Sequence, residues 1–372
     1  MRILFYAPMK PLGHANPSGD LIIATGLVEY LGRAGHQVVP ASRIRARWIY
    51  YKPWLWPGLA RDGLRAARRA RAGDAGVWLT YHAYYKAPDV LGPWAARAAG
   101  LPYVVFQGIY STKRRRDRRT AVGFHLNRLS LLAARRVFTN RREDEHNLLR
   151  LLPRDKVTYV PPGIYPDQFR RSPRDRRRLR DEWGVGATPV VLAAAMFRPG
   201  VKADGLAAAI RACGTLLAGG RDLVLVVAGD GEQRERLEFL AREHAPGRVR
   251  FPGKVPRDQL YRYYSAADVF AFPGIRESLG MVYLEAQSCG LPVVAYDNGG
   301  IPEVVGRGET GLLTPLHDEQ AFAGAVETIL DDPDLRIRMG RAAEQRVRVR
   351  HDLDRNYAEV ETELRRIAEG GA

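Results

Sequence analysis

Two carboxylates, Glu277 and Glu285, stand eight residues apart in "GIRESLGMVYLEAQSCGLPVVAYDNGGIPE", on either side of Gly280. After the apolar run "DVFAFP", the residues "GIRES" read as a loop, and a helix is expected to begin at about Leu279 to Gly280 and to stop at "SCG". Glu277 then precedes the helix, and Glu285 lies about a turn and a half inside it. Helical side chains lean toward the N-terminus, so both acids are expected to reach one ligand. Gly280 lets that ligand approach unpaired backbone N–H groups at the positive end of the helix dipole, beside Leu279 and Met281. Phosphate suits the helix end, and the neighbouring hydroxyls of a sugar or ribose suit a carboxylate, which accepts from two of them. This stretch is therefore expected to recognise a sugar nucleotide.

The cations needed beside a diphosphate follow another apolar run, "PVVLAAA", in "MFRPGVKADG". Arg198 and Lys202 leave the same strand end, with Pro199 and Gly200 shaping the turn. Arginine offers directional donors and lysine a compact charge, so the two can neutralise the charge that develops on a departing nucleotide. A metal could do the same work with paired acids, as in "DLD" at Asp352–Asp354 or "DPD" at Asp332–Asp334. Both lie in a helical region far from predicted strand ends, and no His and Cys spacing suits zinc, so neither metal nor cofactor is expected. Gly19 opens the helix after the first strand, and Gly229 and Gly231 in "AGDG" permit close backbone approach to a phosphate. His82 ends the run "GVWLTYH" and is the histidine expected near an acceptor hydroxyl or a donor sugar; His14 and His125 are further candidates.

The elements that must position these residues alternate between strand-like apolar runs and helical patterns along all 372 residues. The runs "RILFYAP", "HQVVPAS", "GVWLTYH", "PYVVFQ", "RVFTN" and "VTYVPP" belong to the first half, and "PVVLAAA", "LVLVVAG", "VRFPG", "DVFAFPG", "PVVAYD" and "GLLTP" to the second. Nearly all-apolar strands in βαβ order predict an α/β fold of two doubly wound, Rossmann-like domains facing a cleft, with ligands beyond the strands' C-terminal ends. The expected domains are 1–165 and 166–351, with the helix in 352–372 returning to the first and the hinge near Pro162 to Pro166.

A net charge of +17 admits nucleic acid, an acidic membrane surface or an anionic substrate as partner. Its distribution favours the membrane: Arg43 and Arg65 are interleaved with Trp48, Trp54 and Trp56, and a second run holds Lys113, Arg114 and Arg115. No recognisable nucleic-acid module is present, and no stretch is long and apolar enough to span a bilayer. The short apolar run at the N-terminus and the separated Cys213 and Cys289 suit a cytoplasmic chain with free thiols, peripheral on the inner face of the plasma membrane.

The stretch "ESLGMVYLEAQSCGLPVVAYDNGGIPE" resembles the signature of the retaining glycosyltransferases of family 4, a Glu-x7-Glu motif followed by EA-x-x-CG-x-PVV-x-x-x-x-GG-x-PE. Similarity extends to "PSGD…LGRAGHQV", "VPPGIYPDQF", "VVAGDGEQRERLE" and "GETGLLTP". The resemblance implies the GT-B fold and transfer of a hexose-type residue, with retained configuration, from a nucleotide diphosphate sugar to an acceptor hydroxyl. Glu277 would bond the transferred sugar and Glu285 the ribose. The acceptor, expected on the N-terminal domain, would be a glycolipid, a lipid-linked saccharide or a lipopolysaccharide core. Three positions depart from the family. Many members carry one more residue between the Arg and Lys, Ser18 replaces the first of two glycines, and Gln107 stands where a histidine is frequent. The acceptor proton is left to His82 or to the donor phosphate. The alternatives are a sugar-nucleotide epimerase or sugar-phosphate glycosyltransferase on the same fold, and a basic nucleic-acid-binding protein. Nucleotide base, donor sugar, linkage and oligomeric state stay open.

Overall fold

The computed structural model describes residues 1–13, 19–71 and 75–370. Each of these runs forms a strand; central ones such as Val190–Ala194 and Val224–Ala228 are buried at successive positions, as a strand covered on both faces must be, whereas the edge strands Gln37–Pro40 and Val249–Gly253 are partly exposed. The first sheet contains β1 (Arg2–Tyr6), β2 (Gln37–Pro40), β3 (Ala75–Tyr81), β4 (Tyr103–Phe106), β5 (Arg136–Thr139) and β6 (Val157–Tyr159). The second contains β7 (Val190–Ala194), β8 (Val224–Ala228), β9 (Val249–Gly253), β10 (Val269–Ala271), β11 (Val293–Tyr296) and β12 (Gly311–Thr314). Both sheets are parallel, with orders β2-β1-β3-β4-β5-β6 and β12-β11-β10-β7-β8-β9. Strand order therefore reverses between β1 and β3 in the first sheet and between β7 and β10 in the second. Crevices beyond these two reversals are where open α/β sheets bind ligands.

The chain divides into Met1–Pro161 with Asp354–Ala372, and Pro162–Leu353. The sequence-based boundaries, at 165/166 and 351/352, thus lie a few residues from the observed ones. The reason is local pairing in the second unit: Ile164 N–H donates to His351 O and Leu353 N–H to Ile164 O, each at 2.9 Å. Ile164 is buried in the core around the second sheet. From Asp354 onward the helix Leu353–Ala368 belongs to the first unit, where Tyr357 Oη donates to Ile23 O at 3.0 Å and His36 Nε2 meets Glu361 Oε1 at 2.8 Å. Cys213 and Cys289 are both free and buried, and burial pushes the Cys213 thiol up to about 12.

His351 carries a measurable consequence. It is buried, its Nδ1 lies 2.7 Å from Pro162 O, and burial, with Arg346 and Arg350 adding repulsion, lowers its pKa from 6.5 to about 4. A depressed folded-state pKa stabilises the fold above 6.5 and loses that contribution as pH falls toward 4. Urea denaturation should show this acid loss, on the order of 3 kcal/mol, in the parent and not in His351→Asn. Equal acid slopes in both proteins would remove His351 from the account.

Candidate functional site

The second-sheet site is built by two loops leaving the neighbouring strands β7 and β10. After β7 the chain turns through Gly200, at φ 84°, into the helix Val201–Ala218, whose N-terminus no side chain caps. Arg198 is exposed just before this turn, and Lys202 lies in the first helical turn. After β10 the loop carries Glu277, whose carboxylate pairs with Lys202 Nζ. Arg198, the ammonium of Lys202 and an uncapped helix N-terminus thus share one strand end, an arrangement that attracts an anion. The carboxylate of Glu277 beside them can accept from a hydroxyl.

Backbone wedging fixes the position of Glu277. Gly300 N–H donates to Glu277 O at 3.0 Å. A Cβ on Gly299 would fall 2.1 Å from Glu277 O, and one on Gly300 would fall 2.0 Å from Ser278 O, so the turn after β11 closes on this loop only as glycine. Asn298 completes the clamp: its Oδ1 accepts from Arg276 N–H at 2.9 Å and its Nδ2 donates to Gly274 O at 3.1 Å. The turn after β8 is knit to the β7 end in the same way. Phe197 N–H donates to Asp230 O at 3.0 Å, and a Cβ on Gly229 would meet Ala195 O at 1.9 Å. Gly231 passes over Phe197 O, which a Cβ there would approach to 2.9 Å.

Glu285 sits in its helix where expected and has partners of its own. The helix spans Met281–Ser288 and starts after Leu279, with Gly280 as its N-cap at φ 66°, and Glu285 lies buried within it. Its Oε1 accepts from Arg257 Nε at 2.9 Å and its Oε2 from Tyr264 Oη at 3.2 Å. Burial raises its pKa, and the Arg257 charge and both hydrogen bonds oppose that rise. The two glutamates therefore have separate partners, Lys202 for one and Arg257 with Tyr264 for the other, because the helix directs Glu285 toward the β9–β10 connection. Arg257, Tyr264 and Asn298 had not been singled out from the sequence. Gly299 and Gly300 stood in the quoted signature, but their wedging role is visible only in three dimensions.

In the first unit, His82 and Gln107 end the adjacent strands β3 and β4, and both are buried at positive φ, 59° and 61°. Such angles in non-glycine residues carry strain of roughly 1–3 kcal/mol and cluster at functional sites. His82 N–H donates to Phe106 O at 2.8 Å, and its ring centroid lies 5.0 Å from that of Tyr84. Along the same sheet edge, Gln107 Oε1, Thr139 Oγ1 and Asn140 Oδ1 are buried without a hydrogen-bond partner among the described residues. Polar residues directly after the runs "YVVF" and "RVF" were the available signal for this row. A hydroxyl-bearing ligand would satisfy such oxygens.

Other candidates are dispersed. Gly19 begins the helix Gly19–Arg33, whereas His14 and Ser18 lie outside the described residues. His125 is exposed on the helix Arg118–Ala133. Trp48, expected at a membrane surface, is half-buried in an aromatic cluster, 5.8 Å from Tyr50 and 6.1 Å from Tyr85. Trp54 and Trp56 are exposed, 69% and 44%, as are Arg43, Arg65, Lys113 and Arg115. Arg114 lies over the Tyr85 ring at 4.6 Å. Among the described residues, no helix is long and apolar enough to cross a membrane, and no three His, Cys, Asp or Glu side chains cluster to hold a metal.

Comparison with known proteins gives these geometries a context. The profile of the family "Glycosyl transferases group 1" matches residues 180–346, which span β7 to β12 with the Lys202, Glu277 and Glu285 positions. The chain is 36% identical over 196 residues to the GDP-mannose-dependent alpha-(1-6)-phosphatidylinositol monomannoside mannosyltransferase of Mycolicibacterium smegmatis, covering 50% of each chain. It is 39% identical over 223 residues to the D-inositol 3-phosphate glycosyltransferase of Kribbella flavida, covering 57% of this chain and 52% of that one. The chain thus spans about half the length of the curated relatives it matches. Among solved structures, Alr3699/HepE of Anabaena in complex with UDP superimposes with a TM-score of 0.78 at 20% identity, over 98% of this chain and 100% of that one. The fold is GT-B.

Proposed function

We propose that this protein is a glycosyltransferase that moves a sugar from a nucleoside diphosphate sugar to an acceptor hydroxyl with retention at the anomeric carbon. The observation that carries the reading is the convergence of Arg198, Lys202, an uncapped helix N-terminus and Glu277 beyond the β7/β10 reversal. The cations and backbone amides meet the diphosphate, and Glu277 accepts from the transferred sugar. Glu285 serves the ribose with Arg257 and Tyr264 arranged around it. The anomeric carbon–oxygen bond to the diphosphate breaks, a bond to the acceptor oxygen forms, and the acceptor proton passes to the departing phosphate oxygen. Since protein cations balance the leaving charge, no divalent ion is required.

The acceptor belongs to the first unit, whose strand ends hold His82 and the buried oxygens of Gln107, Thr139 and Asn140. Exposed Trp54 and Trp56 among arginines favour an acceptor at an anionic membrane surface, with the protein peripheral on the cytoplasmic face. The named mannosyltransferase relative, which acts on a phosphatidylinositol mannoside, supports that choice. A soluble sugar phosphate is the second reading, favoured by the D-inositol 3-phosphate relatives.

Radiolabelled GDP-mannose and UDP-glucose, each offered with membrane lipid extract or with inositol phosphate, test both readings. Label is expected in the organic-extractable product, with turnover unchanged by EDTA. Label confined to water would select the soluble acceptor, and loss of turnover with EDTA would overturn the metal-free reading. If neither donor is consumed and neither nucleotide raises the thermal midpoint, while DNA binds in a salt-sensitive manner, the glycosyltransferase reading falls.

A further inference from the structure

A second basic centre lies in the first unit, at the edge strand β2. An open pocket of about 390 Å³ forms between the end of this strand and the helix Trp56–Arg71. Arg43 reaches it from the turn after β2, and Arg65 and Arg69, one helical turn apart, line its other wall. Leu4, Val39 and Ala66 give it an apolar floor.

Charge pairing distinguishes these arginines from many others in the chain. Arg211 pairs with Glu319, Arg257 with Glu285 and Arg348 with Glu344. Among the described residues, no ion pair joins Arg43, Arg65 or Arg69 to an acid. The one acid in the pocket, Asp62, accepts from Ser42 Oγ at 2.8 Å, and Ser42 Oγ in turn accepts from Ile44 N–H at 3.1 Å. One carboxylate thus shares the lining with three exposed arginines, a local excess of positive charge that attracts an anion. Guanidinium forks match phosphate oxygens, and the volume lies within the range of small-molecule sites, large enough for a phosphate together with a small polyol.

We propose that this pocket binds the phosphate of a phosphorylated polyol, either the headgroup of an anionic lipid or a soluble phosphate ester. Exposed apolar side chains on the same segment, Trp54, Trp56 and Leu64, favour the headgroup by bringing a bilayer surface to the pocket's helix. The inference deepens the membrane part of the proposed function and rests on it only for the source of the phosphate. The pocket itself rests on the first unit's own geometry.

Calorimetric titration with glycerol 3-phosphate at fixed ionic strength tests it. Saturable binding is expected, weakened roughly tenfold or more in Arg65→Ser/Arg69→Ser. It should be retained in Arg61→Ser/Arg68→Ser, which removes the same charge from exposed positions of the same helix outside the pocket. Displacement of the parent protein from phosphatidylglycerol–phosphatidylcholine vesicles by glycerol 3-phosphate identifies the lipid headgroup as the source. Saturable binding without displacement identifies a soluble ester. Absence of saturable binding, or equal weakening in the two double variants, overturns the pocket. GDP and UDP thermal shifts on the same preparations keep the outcomes separate: an intact nucleotide response with no phosphate binding removes the pocket and leaves the donor reading standing.

Discussion

Lys202→Ala is expected to lower kcat for sugar transfer by about 10² to 10³ with little change in the thermal midpoint. The side chain of Lys202 is about one-third exposed, and its partner Glu277 is held by backbone contacts of its own. A pair so placed contributes at most about 1 kcal/mol to stability. Its value in the proposed reaction is larger, because charge builds on the diphosphate as the anomeric bond breaks, and the ammonium sits in the first turn of a helix whose dipole acts in the same direction. Arg198→Ala should act in the same sense, more weakly in kcat and more strongly in KM, since Arg198 is exposed before the turn and can meet the ground-state diphosphate. Steady-state transfer assays separate the two. Unchanged kcat in both variants would withdraw the leaving-group role from this strand end.

Glu277→Gln should reduce kcat/KM by about 10² while the loop keeps its position. The substitution preserves shape and removes charge, and the loop is set by Gly300 N–H on Glu277 O and by the Asn298 clamp, neither of which uses the carboxylate. Loss of charge acts twice: the acceptor for a sugar hydroxyl weakens, and the Lys202 ammonium loses the partner that orients it. The two effects run through one contact, so Glu277→Gln and Lys202→Ala combined should cost clearly less than the sum of their separate barriers. Strict additivity in that double-mutant cycle would show that the pair seen in the structure does not operate during turnover.

Most strands were legible in the sequence because they are short apolar runs, and burial between two helical layers imposes that composition on the central ones, whereas the edge strands Gln37–Pro40 and Val249–Gly253 carry exposed positions. The Arg198–Lys202 pair and Glu277 were legible for the same reason, since they follow such runs and a parallel sheet delivers the ends of its strands to one edge. Glu285 illustrates the limit. Its helix was readable and its position inside it was close to expectation, yet its partners come from 28 and 21 residues upstream, through an ion pair and a hydrogen bond that no local pattern announces. Trp48 is similar: its composition suggested a surface, and its edge contacts with Tyr50 and Tyr85, which leave it half-buried, are not announced by any local pattern.

Two parallel α/β sheets, and the two neighbouring strand ends from which the cations and the acid emerge, are readable from hydrophobic periodicity and from residues close in the chain. Only the folded chain sets which side chains share a contact: Lys202 with Glu277, Arg257 and Tyr264 with Glu285, and the turn at Gly299 and Gly300 against the loop that carries Glu277. It also decided which arginines keep an acid and which, at Arg43, Arg65 and Arg69, gather around a pocket with a single carboxylate. Periodicity is a property of neighbours along the chain, whereas charge pairing and steric wedging depend on distances that exist only after the sheets have assembled.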